Sequence, residues 1–188
     1  MATADALKKR KKIWVPILAP KEFKVKDVGD SNVYMPDQLL NKIIEVNLAN
    51  LMQDSKRQNT NVTLKVVEIK ENKGVTELIA YDLSPSYIKR LNRMNKGKAE
   101  QSIVVKTKDE KTVRIKVLAI AKFKTQNAVL TAVRNKMKEF LINTVQATNF
   151  NDLMGEIITF EYQKKLSREL KTVYPLSYIL VRSIRLLK

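Results

Sequence analysis

Two stretches of the chain alternate between apolar and polar side chains, and a later one repeats its apolar residues at helical spacing. In NVTLKVVEIKE, residues 61–71, Val62, Leu64 and Val66 share one strand face, with Thr63 and Lys65 opposite. The phase then slips, because Val67 and Ile69 continue the alternation from the other face. A bulge between Val66 and Val67 is expected to keep the apolar side inward. Asn72, Lys73 and Gly74 supply a turn, and VTELIAYDL reads as the returning strand of a hairpin.

A second hairpin is read in SIVVKTKDEKTVRIKVLAIAKF, turning near Asp109, Glu110 and Lys111. Val113, Ile115 and Val117 alternate there with Arg114 and Lys116, so one face enters a core and the other is cationic. Between the hairpins, Ser84 and Pro85 mark a helix start, with Ser as N-cap and Pro at the first helical position. Tyr87, Leu91 and Met94 fall on one face of that helix, and Lys89, Arg93 and Lys96 roughly opposite, with Arg90 nearby. Gly97 is expected to end it.

From Ala128 the period becomes helical. Leu130, Val133, Met137, Phe140, Leu141 and Val145 predict an amphipathic helix reaching about Ala147. A short helix is expected from Asn151 and another over residues 161–171, and Pro175 stops any helix there. YILVRSIRLLK closes the chain as a strand carrying Arg182 and Arg185. Near the other end, residues 13–25 hold Pro16 and Pro20 in an apolar setting, which suits an extended segment lying on the body. Residues 43–53 mix strand and helix features, and the second half of that stretch is open.

The order of elements predicts an α+β fold with a mainly antiparallel, barrel-like β body, packed helices and a basic N-terminal extension. Three regions are expected: a basic arm over residues 1–12, a β-rich body with one short helix over 13–125, and a helical region over 126–188 whose last strand returns to the body.

Composition narrows the chemistry. The chain has no cysteine and no histidine, which removes disulfides, thiol nucleophiles, thiolate metal sites and imidazole proton shuttles. Gly29, Gly74, Gly97 and Gly155 are isolated and form no phosphate-cradling loop. Glu68, Glu71, Asp109 and Glu110 sit on strand edges or turns, and nothing marks any two as an acid–base couple. No catalytic residue, metal, cofactor or small-molecule substrate is expected. No apolar run is long enough for a membrane span, and the N-terminus lacks the continuous apolar run of a secretory signal.

Charge is the strongest signal. Thirty-six cations against 19 anions leave a formal charge of +17. The excess is spread along the chain: +4 in residues 1–60, +8 in 61–125 and +5 in 126–188. A body of like charge repels itself unless an anionic partner is present, and nucleic acid is the commonest such partner. Lys8, Lys9, Arg10, Lys11 and Lys12 form a continuous block. Alone, such a block suits a solvated tail or a nuclear-localisation signal; beside a basic body it suits a phosphate-contacting arm. Trp14, the only tryptophan, is read as a packing anchor, because sequence-tolerant base stacking generally uses several aromatics along a groove. The stripe Lys89, Arg93, Lys96 has no acid between Asp82 and Glu100 to balance it, which favours nucleic-acid contact for it, for Arg90 and for Lys98. Arg134 and Lys138 are spaced i, i+4, but Glu139 beside them makes a solvated face equally suitable. Lys164, Lys165, Arg168 and Lys171 are interleaved with Glu161 and Glu169, which suits salt bridging.

Several segments together resemble one family. KKIWVPILAPKEF, EVNLANLMQD, DLSPSYIKRL, VRNKMKEFL, YPLSYILVRSIRLLK and the turn at residues 106–109 are similar, in order, to the small-subunit ribosomal proteins called S-three-A-e, or eukaryotic-type S-one. The resemblance implies a structural, rRNA-binding constituent of the small ribosomal subunit in the cytoplasm, with a β-barrel-like body. It implies a place on the platform near the messenger exit side, with rRNA, neighbouring platform proteins and messenger as partners. The chain stops at Lys188, without the longer extension of eukaryotic members, which points to an archaeal member. It carries over Trp14 as a conformational anchor and the cations beside it as RNA contacts. The rRNA-contact set expected is Lys8–Lys12, Lys89, Arg90, Arg93, Lys96, Lys98, Arg134, Lys138, Arg182 and Arg185. The alternative is a free, sequence-tolerant DNA- or chromatin-binding protein.

Overall fold

The computed structural model describes residues 11–20, 23–25, 27–92 and 96–187. These hold eight strands and five α-helices, an α+β combination. The chain opens with β1 (Ile13–Leu18), β2 (Asp27–Val33), β3 (Ile43–Asn47), α1 (Leu48–Met52), β4 (Thr60–Lys70) and β5 (Lys73–Leu83). It continues with α2 (Pro85–Leu91), β6 (Lys98–Lys106), β7 (Thr112–Ala121), α3 (Asn127–Ala147), α4 (Phe150–Ile158), α5 (Glu161–Lys171) and β8 (Leu176–Leu186). It divides into two units, residues 1–79 and 80–188, and β5 runs through the division.

In the first unit the strands pair in the order β3-β4-β5-β1-β2. β1 is held on both edges, antiparallel to β2 along its length and parallel to β5 at Ile17↔Gly74 and Leu18↔Val75. Its period-2 pattern turns Val15 and Ile17 into a cluster with Val33, Leu39 and Val66, against which Val28, Ile44 and Ile69 pack. Trp14 and Pro16 alternate with these and take the other face. Ile17 pairs with Gly29 but Leu18 with Asp27, so Val28 is an extra residue on β2. Gly29 sits at φ +141°, a conformation that side-chain-bearing residues rarely adopt.

The open half of residues 43–53 is α1, which Asn47 begins: its Oδ1 accepts from the Ala49 N–H at 2.9 Å. The first hairpin turn falls elsewhere than expected. Glu71 and Asn72 have φ of 51° and 58°, the two positive values of a two-residue turn that matches strand twist. Gly74 is therefore inside β5. A Cβ there would stand 3.4 Å from Val66 Cγ1 and 3.8 Å from Ile17 Cγ1, so it serves close packing. The expected inward turn of both Val67 and Ile69 is half met: Ile69 packs against the cluster, while Val67 stays exposed.

In the second unit the order is β5-β8-β7-β6, with every pair antiparallel. β6 and β7 pair without a break from Lys98↔Ile120 to Lys106↔Thr112. The turn between them lies at the expected residues. Thr107 N donates to Lys111 O at 3.0 Å, and Glu110 N to Thr107 O at 3.0 Å. The tip also caps a helix: Phe150 N, at the start of α4, donates to Asp109 Oδ2 at 3.2 Å. Helix α3 packs on β6, and α5 on β8. Leu130, Val133, Met137, Leu141 and Val145 of α3 are buried, as their spacing predicts. Phe140 is only half-buried and meets the Tyr162 ring edge-on, with centroids 5.9 Å apart.

Several expectations need correction. In neither unit does any pairing among the described residues close the strands into a barrel, and the sheet is open. Helix α2 starts at Pro85 as expected, but Ser84 makes no side-chain cap bond and Ile88 is the buried residue. The helix ends at Leu91, with Asn92 as C-cap, well before Gly97. Asn competes for local hydrogen bonds and is a weak helix former, which suits it to that end. Gly97 is a packing residue: a Cβ would stand 3.0 Å from Leu130 Cδ2 and 3.3 Å from Thr125 Cβ.

Candidate nucleic-acid interface

The second unit carries 22 cations against 9 anions, so it holds +13 of the total charge. Alternation along β7 decides where part of this points. Val113, Ile115 and Val117 are fully buried, while Arg114 is exposed and Lys116 half-exposed between them. Pairing then aligns neighbouring strands on the same outward face. Arg114 lies opposite Val104 on β6 and opposite Arg185 on β8, and Lys116 lies opposite Ser102 and Ser183. Lys106, two residues beyond Val104, is exposed at the end of the same face, and Lys108 and Lys111 are exposed in the turn.

Two guanidinium side chains directly opposite each other repel, and in a free protein that arrangement is unfavourable. Asp82 is the acid that balances part of it, accepting from Arg185 Nη2 at 3.0 Å and Nε at 3.2 Å. Arg114 and Lys116 have no acidic partner among the described residues. The half-exposed cationic face is thus left with charge that an external anion would satisfy. At the other end of the sheet the alternation stops, and Leu118, Ala119, Ile120 and Ala121 are all buried.

The sequence-predicted cations are not gathered into one site. Lys8, Lys9, Arg10 and Arg93 lie outside the described residues. Lys11 and Lys12 are exposed before β1, with Lys12 Nζ 5.2 Å from the centroid of the Tyr34 ring. Lys89 and Arg90 are exposed on α2, and Arg90 stands 5.3 Å over the Tyr87 ring. Lys96 falls beyond the end of α2, so the helical stripe that was to join it to Lys89 does not exist there. Lys138 is exposed on α3.

Besides Arg185, three of the expected contacts are engaged internally. The register of β7 and β8 shifts between Lys116↔Ser183 and Val117↔Val181, which leaves Arg182 as an extra residue. Arg182 pairs with Glu100. Lys98 Nζ holds the other oxygen of the same carboxylate at 2.9 Å. Burial pushes the Glu100 carboxyl up, but the hydrogen bonds and charges of Lys98 and Arg182 outweigh it and hold the carboxyl below its ordinary range. Arg134 Nη2 donates to the Lys98 carbonyl at 3.4 Å, tying α3 to the start of β6.

Trp14 is also placed otherwise than expected. It is 68% exposed and is not the packing anchor of the N-terminal segment; Val15 and Ile17 fill that role. Parity along IWVPIL carried the signal, since the aliphatic positions 13, 15 and 17 claim one face and leave position 14 outside. Sequence reading passed over Lys106, Arg114 and Lys116 as named contacts, although it read their face as cationic.

The family model described as the Ribosomal S3Ae family matches residues 3–188. Among similar curated proteins is the small ribosomal subunit protein eS1 of Halorubrum lacusprofundi, 26% identical over 95% of this chain and 83% of the relative. The eS1 protein of Nanoarchaeum equitans is 26% identical over 94% of the chain and 89% of the relative. That of Sulfurisphaera tokodaii is 26% identical over 100% of the chain and 98% of the relative. With a match across almost its whole length and an open, strongly basic sheet, the chain belongs to the Ribosomal S3Ae family.

Proposed function

We propose that this protein is a structural constituent of the small ribosomal subunit in the cytoplasm, binding rRNA phosphates without catalysing a reaction. Its relatives carry the name small ribosomal subunit protein eS1, and the charge of the second unit suits a polyanionic neighbour. The observation that carries the reading is the outward face on which Arg114 opposes Arg185 with Lys116 and Lys106 alongside. Recognition is of backbone and shape, since phosphate contacts position a protein without reading sequence. The exposed lysines 11 and 12, with the block that precedes them, extend the contact from the first unit. The place proposed is the platform near the messenger exit side, beside other platform proteins.

The test is the salt dependence of binding to small-subunit rRNA. Replacing Arg114, Lys116 and Arg185 by Ala is expected to weaken binding and to flatten the slope by roughly 0.7–0.9 for each phosphate no longer neutralised. An unchanged slope in that variant would remove this face from the interface. Equal affinity for duplex DNA and for rRNA in high salt would favour the DNA-binding alternative.

A further inference from the structure

A tryptophan that no core claims calls for a ligand. Trp14 is 68% exposed, yet it sits within a paired strand. β1 pairs with β2 through Trp14↔Asn32 and with β5 at Ile17 and Leu18, and Val15, the next residue, is buried. The indole thus projects from a fixed strand rather than from a loop. An exposed tryptophan is informative because this side chain is highly buried on average and is enriched where surfaces bind partners.

Its surroundings narrow the occupant. Lys12 stands two residues earlier in the chain, with its ammonium over the Tyr34 ring, and Lys11 is exposed next to it. Asp30, opposite Pro16, and Asp27, opposite Leu18, are the acids paired along β1, and Asn32 is the residue opposite Trp14 itself. An exposed π surface on a segment that also carries two exposed lysines fits a ligand that has both a π face and a phosphate. An aliphatic or acidic protein segment would use only one of these features.

We infer that Trp14 is a stacking platform for an unpaired RNA base whose phosphate is held by Lys11 and Lys12. This rests on the rRNA-binding reading but adds a contact to a base, separate from the sheet face of the second unit. A single base on an indole is sequence-tolerant, since every base presents a π face.

Because Trp14 is the only tryptophan, its fluorescence reports this site alone. The full chain is titrated with small-subunit rRNA while filter retention of labelled transcript measures binding independently. Quenching is expected to follow retention, and inorganic polyphosphate, which has charge but no bases, is expected to leave emission unquenched. Trp14→Ala is expected to weaken retention by roughly 5- to 150-fold, the range for removing one base–aromatic stack, and Trp14→Phe by less. Retention without quenching, with Trp14→Ala binding as wild type, would overturn the stacking site and leave the rRNA reading standing. Equal quenching by polyphosphate would also overturn it. Absence of retention in low salt would overturn both.

Discussion

Buried polar atoms without partners mark where single residues should respond most clearly. Tyr162 is fully buried, contributes its ring to the contact with Phe140, and has a hydroxyl with no hydrogen-bond partner. Burial, and then the nearby charge of Glu156, raise its ionisation well above the ordinary value of 10. The folded protein therefore keeps a proton that the unfolded chain gives up above about pH 10, and stability falls as pH rises past that point. Tyr162→Phe is expected to change stability at neutral pH by no more than about 1 kcal/mol and to lose less of it in alkaline solution. Urea melts at both pH values check this; a variant as alkali-sensitive as wild type would refute it. Glycines divide in the same way. Gly155, inside α4, has nothing within 4 Å of the point where a Cβ would stand, so Gly155→Ala is expected to stabilise by roughly 0.5–1 kcal/mol. Gly97→Ala would press on Leu130, Thr125 and Ala121 and is expected to cost about 1–3 kcal/mol. Thermal melts of the two variants should move in opposite directions.

Elements are joined here by contacts from distant parts of the chain. The β6–β7 turn supplies Asp109 to the first N–H of α4, while Lys108 N donates to Thr148 O at 3.1 Å and Lys111 Nζ stands 5.7 Å from the Phe150 ring centroid. One turn thereby fixes the junction between α3 and α4. Asp109→Ala removes an acceptor at a helix N-terminus and is expected to cost about 0.5–2 kcal/mol. Amide exchange should quicken at Phe150 and at the turn while the β7–β8 ladder keeps its protection. Uniform loss of protection across the unit would show that the cap is not local.

For the molecule as a whole, charge sets binding and stability against each other. Arg114 faces Arg185 across β7 and β8, and relief of that opposition should favour the free protein. Arg114→Ala is expected to raise stability in low salt by roughly 0.2–1 kcal/mol while weakening rRNA binding. A fall in both together would mean that Arg114 supports the fold rather than the interface. Unit by unit, the sheet is open where a barrel had been expected, because pairing partners depend on contacts distant in sequence. β1 with β5 is such a case: a parallel pair between residues more than fifty positions apart, which no local pattern announces.

Much was legible from local chemistry. Helical spacing placed α3 within a residue of its observed limits, the expected start at Asn151 and range 161–171 lie within a residue of the start of α4 and the limits of α5, and Asp109-Glu110-Lys111 marked the second turn, because periodicity and turn preference act over a few residues. The family resemblance and the excess of positive charge were also present in the chain itself. The candidate site was not legible residue by residue. Arg182 and Arg134 read as surface cations until strand register and helix packing gave them partners in Glu100 and the Lys98 carbonyl, and Trp14 read as an anchor until β1 took its place between two strands. The sequence by itself determined the periods and the net charge, and with the charge the polyanionic kind of partner proposed. Only the tertiary structure decided which cations face solvent together, since strand register brings side chains from remote segments onto one face and no short-range preference specifies that register.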